Sequence, residues 1–169
     1  QPLPYGVKPR LALIHINTEA VRKKSPIIDI GTSAREFLRR LGFDDGGYTY
    51  AHFKKQLMAL SAARFWLGFT AEDRAVTLDA KPIKRFDAWV TNAVHPVLWP
   101  GVMELSKDYF ESLLEHAVPL DNRALRALAH SALALDVYSF LARRLYSINK
   151  PIKIPWPLFK EQFGQEYND

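Results

Sequence analysis

The sequence predicts a mainly α protein with a small β-hairpin or sheet, that is, an α+β fold. Apolar residues recur at helical spacing through most of the 169 residues, whereas residues 65–80 read as two short strands around a polar turn. Hydrophobic residues make up 48% of the chain, which is enough apolar material for a core. No apolar run approaches the roughly 18 residues of a membrane span, and no signal peptide opens the chain.

The first helix is predicted to follow an extended arm over residues 1–8. Pro9 fits the first helical turn, where its missing N–H costs nothing, and the cations at 22–24 suit the negative end of the helix dipole. A short strand is predicted over residues 27–30. The predicted buried stripe of this helix consists of Leu11, Ile14, Thr18 and Val21.

Two more helices follow, separated by a polar turn. Ser33 and Glu36 have the spacing of a capping box for a helix that ends at Gly42, a residue suited to a left-handed cap. Thr49 is predicted to cap the next helix, which extends to Arg64. The apolar stripe predicted for this helix consists of Tyr50, Phe53, Leu57 and Leu60.

A hairpin is predicted next, with strands at 65–70 and 76–80 around the turn 71–74. Further strands are predicted at 86–90 and 102–105. The order helix, turn, helix, hairpin is that of a winged helix. In that fold the second helix of the pair is presented to a DNA groove, and the hairpin forms a wing beside it.

Three helices are predicted in the remainder of the chain. Ser106 caps the first, Asp121 begins a long apolar segment that breaks near Ser131, and Pro157 starts the last. A strand or extended link is predicted over residues 152–156. The pattern resumes the opening of a winged helix but lacks its third helix and its hairpin.

These elements predict two domains. Residues 1–120 form a first winged-helix domain for DNA contact and dimerisation, and residues 121–169 form a long linking helix and the truncated start of a second winged-helix domain. The chain begins at Gln1 and not at Met, so we expect a fragment of a longer protein.

Positive charge is concentrated in the first third of the chain. Residues 1–64 carry 11 Lys and Arg against 5 Asp and Glu, whereas the remainder is close to neutral. This asymmetry predicts a face that binds double-stranded DNA, with a solvated surface as the alternative. In the helix from Thr49, lysines would contact phosphates, and His52 or Gln56 would read base edges. The predicted DNA-binding residues are Arg22, Lys23, Lys24, Thr49, Tyr50, His52, Lys54, Lys55, Gln56, Arg64, Arg74, Lys84 and Arg85.

The sequence offers little for catalysis, so no catalytic residue, metal or cofactor is predicted. Cysteine is absent, which excludes a disulfide framework, and no P-loop, dinucleotide-binding or nucleophile-elbow motif occurs. A rolling-circle nuclease would need a His-hydrophobe-His metal site and a tyrosine nucleophile. His15 is a degraded match that lies in a helical pattern, with Tyr48 and Tyr50 as conceivable nucleophiles.

An ordered series of short segments runs from about residue 9 towards the C-terminus. The segments are 9–14 (PRLALI), 18–21 (TEAV), 37–42 (FLRRLG), 56–57 (QL), 98–100 (LWP), 105–106 (LS) with 109–111 (YFE), 116–121 (HAVPLD), 134–145 (ALDVYSFLARRL), Trp156, Leu158 and 162–164 (QFG). Together they resemble the RepA-type plasmid replication initiator family. The strongest single piece is 134–145. One departure is Met58-Ala59-Leu60, where the family has a more basic continuation.

The resemblance implies a plasmid-encoded, non-enzymatic initiator in the bacterial cytoplasm that binds repeats at a replication origin. It further implies a homodimer and contacts with host replication proteins, without a membrane partner. The chain stops near Tyr167, where the second domain's recognition helix is expected to begin, which puts strong sequence-specific binding in doubt. The alternatives are a winged-helix transcriptional regulator and a dimerisation module whose basic face is incidental.

Overall fold

The structure is a computed structural model that describes residues 3–71, 74–86 and 101–164, and its side-chain description leaves out residues 65–71 and 74–80. The chain forms two compact units, Gln1–Ala117 and Val118–Asp169. The described residues are mostly helical with a small antiparallel sheet, so the predicted α+β class is confirmed. In chain order the elements are α1 (Val7–Lys23), β1 (Ile27–Asp29), α2 (Ala34–Arg40), α3 (Gly47–Ala62), β2 (Phe65–Ala71), β3 (Arg74–Ala80), β4 (Ile83–Arg85), β5 (Val102–Leu105), α4 (Lys107–His116), α5 (Asn122–Leu128), α6 (Ala132–Ser147) and α7 (Trp156–Phe163).

Helix α1 buries a different stripe from the predicted one. It begins two residues earlier than Pro9, after Gly6 with φ 81°, and Pro9 lies in its first turn. Of the predicted stripe only Leu11 is buried, and Thr18 is exposed. The other members of the buried face are Pro9, Ala12, Ile16 and Ala20. The two alanines in this face allow neighbouring elements to approach closely.

Helix α2 starts as its sequence predicts. The Ser33 hydroxyl accepts a hydrogen bond from the Glu36 backbone N–H at 3.1 Å. The Glu36 carboxylate accepts bonds from the backbone N–H and the hydroxyl of Thr32, both at 2.7 Å. The turn after the helix passes through Gly42 with φ 83°, the left-handed geometry that glycine adopts without strain.

The predicted N-cap of α3, Thr49, lies three residues too late. Its N-cap is Gly46, whose carbonyl accepts the first helical bond from the Tyr50 N–H at 2.9 Å, and Thr49 therefore lies inside the first turn. The Asp44 carboxylate accepts a bond from the Gly46 N–H at 3.1 Å and fixes the turn before the helix, which has no side-chain cap bond. The helix ends at Ala62, before Arg64.

The predicted strands form two separate sheets. In the first, β5 lies between β1 and β4 in antiparallel order, with Ile28 opposite Met103 and Ile83 opposite Leu105. These four side chains are buried and face the helices of the first unit. In the second, β2 and β3 form the expected hairpin, with Phe65 opposite Ala80. The strand predicted at 86–90 is not seen at Phe86, and the rest of it lies outside the described residues.

The core of the first unit lies between this three-stranded sheet and α1–α3. Helix α4 is joined to α1 by a hydrogen bond from the Asn17 amide to the Tyr109 hydroxyl at 3.0 Å. Ser106 precedes α4 as its N-cap residue, without a side-chain cap bond. The buried cluster consists of Ala12, Ile16, Ala20, Ile28, Ile30, Phe37, Leu38, Phe53, Leu57, Leu60, Ile83, Met103 and Leu105.

The second unit confirms the break predicted near Ser131. The Ser131 hydroxyl accepts a bond from the Ala134 N–H at 3.2 Å and caps α6. Asp121 caps α5, and its own N–H donates to the Tyr138 hydroxyl at 2.8 Å, which ties α5 to α6. Residues 151–155 form neither helix nor strand, and α7 ends at Phe163. Within the described ranges, no helix is long and apolar enough to cross a membrane.

Candidate nucleic-acid interface

Helix α3 is held from three sides and presents one face to solvent. It packs against α1, α2 and β4. Its buried side chains are Phe53, Gln56, Leu57 and Leu60. The exposed residues follow one stripe at helical spacing, and they are Tyr48, Ala51, Lys55 and Met58. This stripe, hereafter the α3 face, has Tyr48 86% exposed at its first turn and one lysine at its centre.

Gln56 does not lie on the α3 face, so its predicted role in reading base edges is wrong. Its side chain is only 4% exposed, and its Oε1 accepts a hydrogen bond from the Tyr5 N–H at 2.7 Å. The position is three residues after Phe53 and four before Leu60, which places it on the buried stripe. A buried amide needs partners, and here the N-terminal arm supplies one.

His52 forms part of the same contact between α3 and the arm. Its Nε2 lies 3.3 Å from the Tyr5 hydroxyl, its ring meets the Tyr5 ring edge-on at 5.6 Å, and Tyr48 stacks at 6.5 Å. Its Nδ1 is buried without a hydrogen-bond partner in the structure. Burial lowers the pKa of His52, and the positive charges of Lys8 and Lys55 lower it further. A neutral, half-covered imidazole is poorly placed to contact phosphate.

The turn between α2 and α3 is fixed by arginines. The Arg35 guanidinium lies over the Tyr50 ring at 5.2 Å and donates to the Asp45 carbonyl at 3.3 Å. Arg39 forms an ion pair with the Asp45 carboxylate at 3.4 Å. These contacts hold the two helices of the pair in one relative orientation, and they engage the predicted site residue Tyr50 in an intramolecular contact.

The three cations at the end of α1 are in different environments. Arg22 and Lys23 form ion pairs with Glu19, at 2.7 and 3.1 Å. These bonds lower the pKa of Glu19, the Arg22 bond contributing most. Lys24 is exposed and adopts φ 50°, a left-handed residue that closes the helix.

The remaining predicted cations follow α3 in the chain. Arg64 is exposed between α3 and β2. Arg74 opens β3 opposite Ala71, beside the hairpin turn. Lys84 and Arg85 are exposed on β4, and the Lys84 ammonium pairs with Glu104 on β5 at 2.6 Å. The hairpin predicted as a wing is a sheet of its own, separate from the strand β1 between the first two helices.

His15 lies on α1, as its helical pattern indicates. Its ring is in edge contact with Phe37 at 5.7 Å, and burial lowers its pKa. In the part of the chain that the structure describes, no group of three His, Asp or Glu side chains is arranged to hold a metal ion. The structure therefore places His15 against the core.

Four residues at this surface are not among the predicted DNA-binding residues. Tyr48, Ala51 and Met58 lie on the α3 face, and Tyr5 anchors the arm to α3. Tyr48, Lys55 and Met58 lie opposite the predicted apolar stripe of the helix, so their exposure could have been predicted from helical spacing. The contact of Tyr5 with Gln56 joins residues 51 positions apart and left no periodic signal.

The fold and this surface define a mainly helical α+β protein with a rigidly held pair of consecutive helices followed by a hairpin. The family model described as plasmid-encoded RepA protein matches residues 3–153. The chain belongs to this family of plasmid-encoded RepA proteins, which makes it a plasmid replication protein. Comparison with curated proteins and with solved structures found no match.

Proposed function

We propose that this protein is a non-enzymatic replication initiator that binds double-stranded DNA at origin repeats through the α3 face. The observation that carries the proposal is the solvent-exposed stripe of α3, set after a capped α2 and an arginine-fixed turn. Two helices held at a fixed angle allow the second one to enter a major groove while the first crosses the backbone. Because the chain belongs to a plasmid replication family, the plasmid origin is the DNA that we propose it binds.

The α3 face suggests how the contact is made. Lys55 at its centre meets phosphate, and the Tyr48 hydroxyl at the helix start donates to a second phosphate. Ala51 and Met58 present apolar surface of the kind that contacts thymine methyl groups. Lys24 and the cations of β4 add sequence-independent attraction. In this arrangement Ala51 and Met58 make the base contacts that the sequence assigned to Gln56 and His52.

Salt-dependent binding to origin repeats and to random duplex tests this proposal. Replacing Lys55 by alanine reduces the slope of log affinity against log salt by roughly 1, because Lys55 is the lysine of the α3 face and Lys54 is half-buried beside it. The matched control is Lys153→Ala, which removes the same charge from an exposed position of the second unit. An equal loss of slope in both variants, or none in the α3 variant, moves the contact to another surface.

A nicking assay tests the non-enzymatic part. Supercoiled origin DNA stays intact with Mg²⁺ or Mn²⁺, because a metal-dependent nuclease needs a ligand set and a positioned nucleophile. Strand cleavage that disappears in Tyr48→Phe or Tyr50→Phe contradicts this. Binding to a promoter operator in preference to origin repeats assigns the protein to transcriptional regulation instead.

We further propose the domain arrangement that the sequence predicts, two winged-helix domains with a boundary near residue 120, and dimerisation through the first. The compact units meet at Ala117–Val118, close to that boundary. The order α1, β1, α2, α3 followed by antiparallel strands supports the winged helix.

Hairpin β2–β3 has two edges without a strand partner among the described residues, which suits pairing with a second copy. Sedimentation that gives a monomer at all concentrations contradicts the dimer.

A further inference from the structure

A second surface, in the unit Val118–Asp169, is basic and apolar at once. Between Asp136 and Glu161 the chain contains no acidic residue. The same stretch contains five cations, Arg143, Arg144, Lys150, Lys153 and Lys160. Arg143, Arg144, Lys150 and Lys153 are each at least seven residues from the nearest acidic residue in the sequence, and positive charge concentrated in this way attracts anionic groups.

Aliphatic side chains in this stretch line a groove of about 460 Å³ between the end of α6 and the link that follows it. Leu145 is 66% exposed, Ile152 55% and Leu141 41%. Ile148 and Ile154 complete the apolar wall, and Arg144 and Lys150 lie at the same groove. Apolar side chains exposed together in a concave site mark an interaction surface more often than an isolated exposed leucine does.

Helix α6, which supplies one side of the groove, is anchored to α7 by aromatic contacts outside the groove. Phe140 of α6 meets Phe163 of α7 edge-on at 5.3 Å, and Phe159 packs on Phe163 at 4.9 Å. The Arg144 guanidinium, which lines the groove, lies over the Phe140 ring at 5.4 Å, and this contact fixes the position of the cation. An occupant therefore meets apolar contacts and an oriented positive charge in one place.

These features favour a protein occupant over a nucleic acid. Leucine and isoleucine side chains gain from burial against other apolar groups, whereas bases bind by stacking on aromatic rings. Leu141 and Leu145 lie one turn apart on α6, and Ile148 follows directly after the helix, so the apolar side of the groove is elongated along α6. An amphipathic helix, whose apolar anchors recur at i, i+4 and i+7, fits an elongated apolar groove of this kind. We propose that this groove docks an acidic amphipathic helix of another protein, with apolar residues in the groove and carboxylates on Arg144 and Lys150.

Fluorescence anisotropy of the complete chain tests the proposal with a labelled synthetic helical peptide. The peptide carries leucines at i, i+4 and i+7 and glutamates on both flanks. Its controls are a scrambled peptide of the same composition and a peptide with lysines in place of the glutamates. Saturable binding of the acidic peptide alone is expected.

Substitutions at exposed positions locate the binding. Leu145→Glu weakens binding at least about tenfold, because a buried leucine contact is replaced by a charge that repels the peptide. The matched control is Leu114→Glu on α4, at a leucine 47% exposed, which leaves binding unchanged. Lys150→Gln weakens binding about twofold to fivefold, as expected for an exposed ion pair. Origin binding by the α3 face is unaffected by Leu145→Glu, so this proposal and the DNA-binding proposal fail separately.

Four results overturn the proposal. The first is equal binding of the scrambled or the lysine peptide, and the second is full binding by Leu145→Glu. The third is a single-stranded oligonucleotide that displaces the peptide and loses affinity in Leu145→Glu, which assigns the groove to nucleic acid. The fourth is self-association abolished by Leu145→Glu, which assigns it to a second copy.

A longer chain gives a separate test. If the natural protein continues past Asp169, loss of peptide binding in the longer chain also overturns the proposal and assigns the groove to that continuation.

Discussion

Replacing Gln56 by alanine separates a structural role of this side chain from a role in DNA recognition. The variant loses the acceptor for the Tyr5 N–H at 2.7 Å, a bond with a net contribution of about 0.5–1.5 kcal/mol. It also removes one buried methylene group from a side chain 4% exposed, which contributes about 0.8 kcal/mol. The better helix propensity of alanine returns a few tenths of a kcal/mol. We expect a net loss of about 1–2 kcal/mol.

The assay is urea unfolding, combined with hydrogen exchange at the Tyr5 amide. Gln56→Ala lowers the urea midpoint with an unchanged slope, and the Tyr5 amide loses its protection. Lys55→Ala is the control from the exposed face of the same helix, and it changes the free energy of unfolding by less than about 0.5 kcal/mol. Gln56→Glu keeps an acceptor for Tyr5 and retains protection of that amide at low pH, where the carboxyl is protonated.

Binding measured on single-base variants of an origin repeat completes the test. The structure predicts that Gln56→Ala keeps the sequence preference of the unsubstituted chain, since Gln56 faces the core and the arm. Unchanged stability together with a loss of about 1–3 kcal/mol of discrimination at one base pair would refute this reasoning. That result would restore the base-reading role that the sequence suggests.

Three other predictions concern local structure. Hydrogen bonds from Thr32 and Arg40 lower the pKa of Glu36 to about 2. The contribution of Glu36 to stability is therefore complete above about pH 4.5 and is lost as the pH falls towards 2. In Glu36→Gln, the urea midpoint depends less on pH across this window. Gly31→Ala destabilises by about 1–3 kcal/mol, since φ is +82° and the new Cβ would lie 2.8 Å from the Glu36 carboxylate carbon. Ser131→Ala removes the α6 cap and costs about 1 kcal/mol in urea unfolding.

Each of these has a control nearby. Glu111→Gln, at an exposed residue of α4, leaves the acid dependence of the midpoint unchanged. Gly47→Ala tests a glycine with open space at its Cβ and no positive φ, and it is neutral or stabilising. Ser147→Ala, near the other end of α6, costs less than half as much as Ser131→Ala. Equal effects within any of these pairs contradict the local explanation.

Local signals in the sequence predicted the elements well. The spacing of Ser33 and Glu36 identified the start of α2, and Ser131 marked the break before α6, because caps are made by residues close in sequence. The start of α3 was misplaced because its N-cap is a glycine, which has no side chain to mark the cap in the sequence. Thr49, three residues later, has the hydroxyl that is typical of an N-cap. The predicted buried stripe of α1 was wrong because alanine is less hydrophobic than leucine or isoleucine, so a pattern based on hydrophobicity passes over buried alanines.

The sequence predicts an exposed face on the second helix of the pair, and α3 has one, whereas its DNA-binding role stays a prediction. The sequence also assigned Gln56 to the exposed face because glutamine is polar, and the structure buries it. Only the arm, which brings the Tyr5 N–H to that side chain, makes its burial favourable. Long-range pairings of this kind, and that of β1 with β5, depend on the folded chain and have no local pattern.

The position of β5 at the centre of the sheet governs when the first unit can close during synthesis. Met103 pairs with Ile28, 75 residues earlier, and β4 also pairs with β5 alone among the described strands. At about 5–20 residues per second, the ribosome needs about 4–15 s to pass from β1 to β5. Hairpin β2–β3 forms from neighbouring residues in this interval. Strand β1 stays unpaired and the apolar side of α1 stays uncovered until β5 has been synthesised. The nascent chain is therefore most exposed to aggregation in the seconds before Leu105 leaves the ribosome, and closure of the sheet is a late, non-local step.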